Sequence, residues 1–319
     1  MARLEIRPFS DEFIGAAAEL LAARHRAQRQ AEPLLPERYE DLAAASEEIL
    51  ALAETEGASG AVALRDGRVT GYLLGVRKSD EIWGANVWVE LAGHAVEEPE
   101  DLRDLYGAAA GGWVDDDDRP RHYAVVPASE PALVDAWARV GFGQQHAYGI
   151  QATPEGRWPD GVRLATAADI EALLDLAPLL SDHQAQSPVF ARGIARETRD
   201  ELRAELLEDL AKDEIGDLVA ERDGRLVGAF QVVPVERSSV HSGLARPEGA
   251  ALLGWAATDP EVRGSGAGLA LTEGSFAWAR EHGYETMVTD WRVTNLLASR
   301  FWPARGFRTT FLRLYRHIP

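Results

Sequence analysis

The chain has 319 residues, of which 46% are hydrophobic, so it is long and apolar enough to build globular cores. Its 52 acidic residues outnumber 33 Lys and Arg and give a formal net charge of −19, which argues against a nucleic-acid-binding protein. It has no cysteine, which excludes disulfides, thiolate nucleophiles and cysteine-based metal sites.

The remaining composition narrows the class of protein further. The eight histidines show no H-x-x-x-H or H-E-x-x-H spacing, so we expect no metal site. No apolar run approaches the ~18 residues of a membrane span, and the N-terminus lacks a signal-peptide pattern. We therefore expect a cytoplasmic monomer or homodimer without membrane or nucleic-acid partners. The acidity either keeps the protein soluble or favours cationic, amine-bearing substrates, and both interpretations stay open.

The sequence contains two similar segments that follow each other along the chain. R-L-E-I-R-P opens the first with a strand-like alternation, and V-R-L-A-T-A-A-D-I-E opens the second at Val162. V-A-L-R-D-G-R-V-T-G-Y at Val62 and V-A-E-R-D-G-R-L-V-G-A at Val219 each place a D-G turn between apolar runs, which predicts a hairpin. W-A-R-V-G-F at Trp137 matches W-P-A-R-G-F at Trp302. Three matches in one order indicate an internal duplication.

Each half is predicted as strand, helix, helix, hairpin, long strand, helix, strand, helix, strand. The Pro- and Gly-rich T-P-E-G-R-W-P-D-G predicts a linker at 153–161 between domains 1–152 and 162–319. The fold class is therefore α/β (α+β), with a twisted mixed sheet flanked by helices in each domain. In the second half, Gly283 is predicted to end a helix, and F-R-T-T-F-L-R-L-Y to close the sheet.

The stretch D-P-E-V-R-G-S-G-A-G, Asp259 to Gly268, lies between a predicted strand and that helix. The first turn of a helix has free N–H groups and the positive end of the dipole, and glycines let the backbone approach a ligand closely. Arg263 adds a forked cation suited to phosphate. The P-loop pattern is absent, and Leu269 stands where a G-x-G-x-x-G loop needs glycine. By itself the stretch is either a structural turn or an anion nest.

Together with a later block, this loop resembles the GNAT superfamily of acyl-CoA-dependent N-acyltransferases. The family signature [QR]-x-x-G-x-[GA] reads here as Arg263, Gly264, Ser265, Gly266, Ala267 and Gly268. The second block reads as Asn295, Ala298, Phe301-Trp302 and Gly306-Phe307. The resemblance covers 162–319 directly and the first half through the repeat. The two-copy architecture is similar to that of mycothiol synthase and other tandem GNAT enzymes.

The resemblance implies acetyl-CoA as co-substrate. The amides of the loop would hold the coenzyme A pyrophosphate, with Asn295 also in the cofactor-binding set. The pantetheine arm would pair with backbone at Ala257 and Thr258, where two strands splay apart. An amine of an unidentified small molecule would attack the thioester directly, with a backbone N–H steadying the oxyanion. That step needs a general base and an acid for the leaving thiolate.

Departures from the family pattern leave the acid and the base open. Trp302 stands where the family often has an acidic tyrosine, and Trp137 matches it in the first half, which favours packing for both. Gly254 stands where the family often has a carboxylate. Asp290, on the next strand, is predicted either as the base or as a surface acid paired with an arginine such as Arg292.

Two other side chains complete the catalytic candidates. His183, in S-D-H-Q-A-Q-S-P, lies in a segment that often shapes the acceptor pocket of this family, so it could be a base or a substrate contact. Tyr315 could supply a proton from the last strand, or it could be a core tyrosine with a solvated hydroxyl.

The first half lacks the loop. Its equivalent region reads V-E-E-P-E-D-L-R-D-L-Y-G. Four acids occupy the positions of the loop: Glu97, Glu98, Glu100 and Asp101. A carboxylate 4 Å from a pyrophosphate charge would cost about 1 to 4 kcal/mol, depending on the effective dielectric. The first half is therefore predicted to be a degenerate copy that supports the second. The acidic run at 115–118 is predicted to be a solvated loop.

The predicted function is an acetyl-CoA-dependent N-acetyltransferase acting on a small-molecule amine. Trp302 and Gly254 motivate an alternative, a non-catalytic acyl-CoA-binding or sensing protein. The acidic surface motivates a further alternative, an antibiotic-modifying acetyltransferase for polycationic drugs.

Overall fold

The structure is a computed structural model that describes residues 3–80, 83–115, 120–191 and 198–319. The chain divides into two compact units. The first unit comprises Met1–Ala147, Gly243–Arg246 and Thr309–Pro319, and the second comprises Tyr148–Ser242 and Pro247–Arg308. Residues 116–118 of the acidic run lie outside the described residues.

The first half of the chain folds into a sheet flanked by helices. Its elements in chain order are β1 Leu4–Pro8, α1 Ile14–Ala31, α2 Leu42–Ala53, β2 Ala58–Arg65, β3 Arg68–Asp80, β4 Gly84–Val89, β5 His94–Val96, α3 Asp101–Asp115, β6 Arg121–Pro127, α4 Pro131–Arg139 and β7 Gly143–Ala152. The predicted hairpin is confirmed as β2–β3, and its turn has Asp66 at φ 52° and Gly67 at φ 79°. The long strand expected after the hairpin is divided into β4 and β5 by a 3₁₀ turn at Leu91–Gly93.

The second half of the chain repeats this order. Its elements are β8 Val162–Leu164, α5 Ile170–Leu176, α6 Pro178–Ala185, α7 Arg199–Asp209, β9 Gly216–Arg222, β10 Arg225–Pro234, β11 Ala250–Thr258, α8 Ala267–Glu281, β12 Thr286–Arg292, α9 Ala298–Ala304 and β13 Arg308–His317. The second hairpin, β9–β10, is confirmed with the same turn geometry at Asp223 and Gly224. Three helices precede this hairpin where two were expected.

The sheet of the second unit runs in the order β12-β11-β10-β9-β8. Only the β11–β12 pair among these is parallel; the other pairs are antiparallel. Helix α8 crosses behind this sheet, and its Trp278 packs so closely on Gly216 that a Cβ there would lie 2.7 Å from the indole. Gly283, at φ 79°, follows the end of α8 as expected.

The last strand departs from the expected division of the chain. We expected β13 to close the sheet of the second half, but it pairs antiparallel with β6, with Phe311 opposite Pro127 and His317 opposite Arg121. Its residues from Thr309 onward belong to the first compact unit. An apolar strand pattern carries no information on which free sheet edge it completes, because the periodicity is the same for both. The functional assignment of 1–152, 153–161 and 162–319 stays a prediction.

Candidate functional site

The glycine loop connects β11 to the first turn of α8. Gly264 and Gly266 have φ of 78° and 93°, a left-handed conformation that favours glycine, and Gly266 is the N-cap residue of α8. A Cβ at either position would meet nothing within 4 Å, so the space in front of the loop is open. Among the described residues, neither backbone N–H donates a hydrogen bond. The loop therefore presents free amides at the positive end of a helix of 15 residues.

Two arginines of the β9–β10 hairpin hold the loop in place. Arg222 donates from Nη2 to the backbone oxygen of Ser265 at 3.1 Å. Arg225 forms an ion pair with Asp259, whose other oxygen accepts from the Glu261 N–H at 2.9 Å. These contacts fix both ends of the loop before any ligand binds, which lowers the entropic cost of ordering it.

Two polar side chains of the loop have no hydrogen-bond or ion-pair partner among the described residues. The side chain of Arg263 is exposed and, within the part of the chain that the structure describes, makes no hydrogen bond or ion pair, while its backbone N–H donates to the Pro260 oxygen at 3.4 Å. The hydroxyl of Ser265 is buried, and it too has no hydrogen-bond partner among those residues. A buried hydroxyl without a partner costs free energy that a ligand acceptor would recover. A free guanidinium, an orphan hydroxyl and open amides together fit an anionic group with several oxygens.

A gap between two strands begins beside the loop. The parallel pairing of β11 with β12 ends at Leu253 opposite Thr289, where the Thr289 hydroxyl also donates to the Leu253 backbone oxygen at 2.9 Å. From there to Thr258, β11 pairs with β10 alone. The predicted splay is therefore present, and Ala257 and Thr258 lie on the strand edge that it leaves without a strand partner.

His183 and Asn295 meet near the carboxyl end of β12. The Oδ1 of buried Asn295 accepts from the backbone N–H of Leu297 at 3.1 Å and of Ala298 at 3.2 Å, which caps the start of α9. The Nε2 of His183, on α6, lies 3.2 Å from the same oxygen. The two backbone N–H groups identify this atom of Asn295 as the amide oxygen, which can only accept hydrogen bonds. The Nε2 of His183 must therefore be the donor and carry the proton. In the neutral ring Nδ1 is then the basic nitrogen.

The comparisons with known proteins agree with this geometry. Residues 179–307 match the model of the Acetyltransferase (GNAT) family. Residues 179–307 therefore form a GNAT-family domain. It is an acyltransferase domain of the N-acetyltransferase type. A comparison with curated proteins gave no match.

Similar solved structures cover both halves of the chain. A GCN5-related N-acetyltransferase from Sphaerobacter thermophilus is 15% identical with a TM-score of 0.56, and the match covers 98% of this chain and 95% of that one. A tandem GNAT protein from the clavulanic acid biosynthesis pathway is 16% identical with a TM-score of 0.50, covering 99% and 98%. The glucosamine N-acetyltransferase region of a fungal multi-domain β-N-acetylglucosaminidase is 12% identical with a TM-score of 0.52, covering 99% and 38%. At these identities the likeness establishes the fold.

The catalytic candidates fall in different parts of the fold. Asp290 is the first residue of β12 beyond its pairing with β11, so in the GNAT domain it lies where the gap opens. His183 lies in the same unit, on a helix that packs against β11. Tyr315 lies on β13 in the first unit, opposite Tyr123, and their ring centroids are 5.1 Å apart. The structure thus places Asp290 and His183 in the unit that contains the loop.

Both tryptophans at the family's tyrosine position are packing residues, as expected. Trp302 is 6% exposed and contacts Phe301, Phe230 and Phe307 through its ring. Trp137 is fully buried in the first unit, with Phe142 at 4.7 Å between ring centroids.

The sequence does not reveal a cavity of the second unit that Asp217 lines. Asp217 on β9 is buried, and desolvation raises its pKa to about 6. It lies one strand from Gln231 and two strands from Trp255. The only local signal was a lone acid at the start of an apolar strand, I-G-D-L-V-A, which is equally typical of a surface position.

Two searches of the described residues gave negative results. No group of three or more His, Asp or Glu side chains there could hold a metal ion. No described helix is both long and apolar enough to cross a membrane. The expectations of a metal-free, cytoplasmic protein remain predictions.

Proposed function

We propose that this protein is an acetyl-CoA-dependent N-acetyltransferase that acetylates an amine of a small molecule. One observation carries the proposal: an open loop with free amides and an unpaired arginine stands at the N-terminus of α8, next to an unpaired strand edge. The GNAT-family match supports the choice of an acyl-CoA as the ligand.

Each part of coenzyme A has a proposed place. Arg263, the free amides of Gly264 and Gly266, the hydroxyl of Ser265 and the helix start at Ala267 and Gly268 would bind the pyrophosphate, while the Ser265 N–H is already bonded to the Val262 oxygen at 3.1 Å. The backbone of Ala257 and Thr258 would pair with the pantetheine arm along the free edge of β11. Asn295 would orient the acyl end through its amide group, since its Oδ1 is already held by the cap of α9.

Bound acetyl-CoA would supply an acetyl thioester whose C–S bond breaks as the C–N bond forms, with one proton leaving the amine and one joining the thiolate. In our proposal Nδ1 of His183 accepts the amine proton, because Asn295 holds the proton of this ring on Nε2. Asp290 at the opening of the gap would attract the ammonium form of the acceptor. The acid that protonates the thiolate is not assigned; the role of Tyr315, which lies in the first unit, stays a prediction from the sequence.

Calorimetric titration with acetyl-CoA tests the binding site. Arg263→Gln removes a cation that makes no contact within the described protein, so we expect about tenfold weaker binding and unchanged stability. Arg280→Gln makes the same change at the other end of α8 and should bind as the parent does. If the parent, Arg263→Gln and Arg280→Gln bind acetyl-CoA with equal affinity, the loop is not part of the binding site.

Thiol release in the presence of a panel of amines tests catalysis. We expect turnover in the parent and at least about a hundredfold lower kcat in His183→Ala, with acetyl-CoA affinity retained. Trp302 and Gly254 leave the usual acid and strand carboxylate of the family without counterparts, which favours a non-catalytic acyl-CoA-binding protein as the second candidate. Tight acetyl-CoA binding without thiol release for any amine would decide for that second candidate.

A further inference from the structure

A cavity of about 470 Å³ lies in the second unit between helices α5, α6 and α7 and strands β9, β10 and β11. Its walls are mainly apolar, and they include Trp255. Asp217 lines the same cavity from β9. The cavity is separate from the space in front of the glycine loop, which contributes none of its lining residues.

The sheet register leads from the strand gap to Asp217. Gln231 on β10 pairs with Trp255 on β11 and with Asp217 on β9. Directly paired residues point to the same face of a sheet, so these three side chains form one row. Trp255 lies two residues beyond Leu253, where β11 leaves β12. Two strand spacings place Asp217 about 10 Å from the edge of β11.

One carboxylate oxygen of Asp217 has no hydrogen-bond partner in the described part of the chain. The residue is 9% exposed, and its Oδ1 accepts from Nε2 of Gln231 at 3.1 Å. Its Oδ2 is buried without a hydrogen-bond partner among the residues that the structure describes. A buried carboxylate with an empty acceptor position is costly unless a cation or donor reaches it.

The other charged groups of this cavity are exposed or already compensated. Asp209 pairs with Lys212 at 3.1 Å and with Arg237 at 3.6 Å. Arg199 pairs with Glu171 at 3.1 Å and with Asp175 at 3.0 Å, both on α5. Glu205, the third acid of the lining, is exposed. The net field of these groups therefore favours a cation at Asp217.

We propose that this cavity binds the acceptor substrate, and that the acceptor is an alkyl amine with a second cationic nitrogen that pairs with Asp217. The inference rests on the proposed function for its other end, where the amine to be acetylated lies at the edge of β11. Trp255 would pack on the methylene chain and contribute cation–π attraction. Of the ~10 Å between the strand edge and Asp217, an ion pair takes up about 3 Å, which leaves about 7 Å between the nitrogens, the span of a chain of about four to six carbons.

Calorimetric binding of 1,4-diaminobutane and 1-aminobutane to the whole protein, without acetyl-CoA, tests the cavity by itself. We expect the diamine to bind at least about tenfold more tightly than the monoamine, because it adds a charge-assisted hydrogen bond in a desolvated place. In Asp217→Asn this preference should fall to about one, since the new amide no longer carries a charge.

Asp223→Asn is the matched control, because it makes the same change at the exposed turn of the same hairpin, where φ of 52° suits asparagine. It should retain the diamine preference of the parent. Equal binding of the two amines by the parent, or an undiminished preference in Asp217→Asn, overturns the proposal. Thiol release from acetyl-CoA is measured separately. Its absence alongside diamine binding that depends on Asp217 would contradict the proposed reaction and not the cation site.

Discussion

The N-termini of α3 and α8 hold equivalent places in the two halves, and their side chains are opposite in kind. At α3 the carboxylate of Asp101 lies 2.5 Å from Nη2 of Arg65, and Glu97 pairs with Arg68. Burial raises the pKa of Asp101, although Arg65 acts against this. At α8 the loop carries no acid between Glu261 and Glu273, and Arg263 is unpaired among the described residues. The first helix end is neutralised by its own protein, and the second is open to an anion.

The strand gaps differ in the same way. In the first unit, buried Arg24 donates to the backbone oxygens of Leu91, at 2.6 Å, and of His94. The His94 ring in turn lies 2.9 Å from the Val125 backbone oxygen, and burial lowers its pKa to about 3. These side chains bridge β5 and β6 where the second unit has the free edge of β11. One copy has therefore filled its groove with its own polar groups.

The two hairpins extend the comparison to the acceptor cavity. The D-G turns align the two hairpins, and the same offset places Gly60 opposite Leu74 where the second hairpin pairs Asp217 with Gln231. A Cβ at Gly60 would lie 1.8 Å from the Leu73 backbone oxygen, so no side chain fits there. The duplicated scaffold thus keeps its backbone register, while Asp217 in the second copy has a glycine as its counterpart in the first.

Introducing the acid of the first copy into the second should have the largest effect. Ala267→Asp places a carboxylate at the first position of α8, as Asp101 stands at the start of α3. We expect acetyl-CoA affinity to fall about a thousandfold, because a like charge at about 4 Å costs about 4 kcal/mol at an effective dielectric of 20. Calorimetry measures this, with exposed Ala132→Asp on α4 as control. Unchanged affinity would contradict an anion site at α8.

Removing the groove filling of the first unit should mainly cost stability. Arg24→Met leaves two buried carbonyl oxygens without donors, so the free energy of unfolding should fall by about 4 kcal/mol. Arg26→Met, an exposed neighbour on α1, should change it by less than about 0.5 kcal/mol. Urea denaturation of both variants is the measurement. Similar small effects would show that Arg24 is not structurally required.

Neutralising Asp217 should stabilise the protein in a pH-dependent way. Its folded pKa of about 6 lies above the ordinary 3.8 because of burial, so the ionised form is disfavoured in the folded state. The stability associated with the protonated form is present below about pH 4 and is lost as the pH rises through about 6. Asp217→Asn should therefore raise the free energy of unfolding by about 3 kcal/mol at pH 8.

Denaturation curves recorded between pH 8 and pH 4 measure this effect. The gain of Asp217→Asn should shrink below pH 6 and vanish near pH 4. A gain in stability that does not depend on pH would mean that ionising Asp217 costs no free energy in the folded state. The unpaired Oδ2 would then contribute little to the stability of the protein.

The smallest effect is expected from opening the helix end of the first copy. Asp101→Asn removes the carboxylate from the start of α3, but Arg24 and His94 still fill the adjacent groove. We expect one acetyl-CoA per chain in both parent and variant. A second binding event in the calorimetric isotherm would show that the acid alone distinguishes the two copies.

Local sequence patterns were sufficient to predict the turns and helix ends that depend on the backbone conformation of a few neighbouring residues. The D-G turns, the glycine after α8 and the loop from Arg263 to Gly268 are set by backbone conformations that few residues adopt, so they could be predicted and the first two are confirmed. The duplication and the mixed α/β fold followed from the order of these signals. The resemblance to the GNAT family was indicated by the same loop and agrees with the family match over residues 179–307.

Tertiary structure decided what depends on contacts between distant residues. The proton position on His183 is set by Asn295, 112 residues later, and β13 pairs with a strand of the other half. Asp217 became a candidate only when the register placed it beside Gln231 and Trp255 and buried its Oδ2. A sequence pattern specifies which face a side chain occupies, whereas its neighbours, its desolvation and its unsatisfied atoms arise only when separate strands and helices pack together.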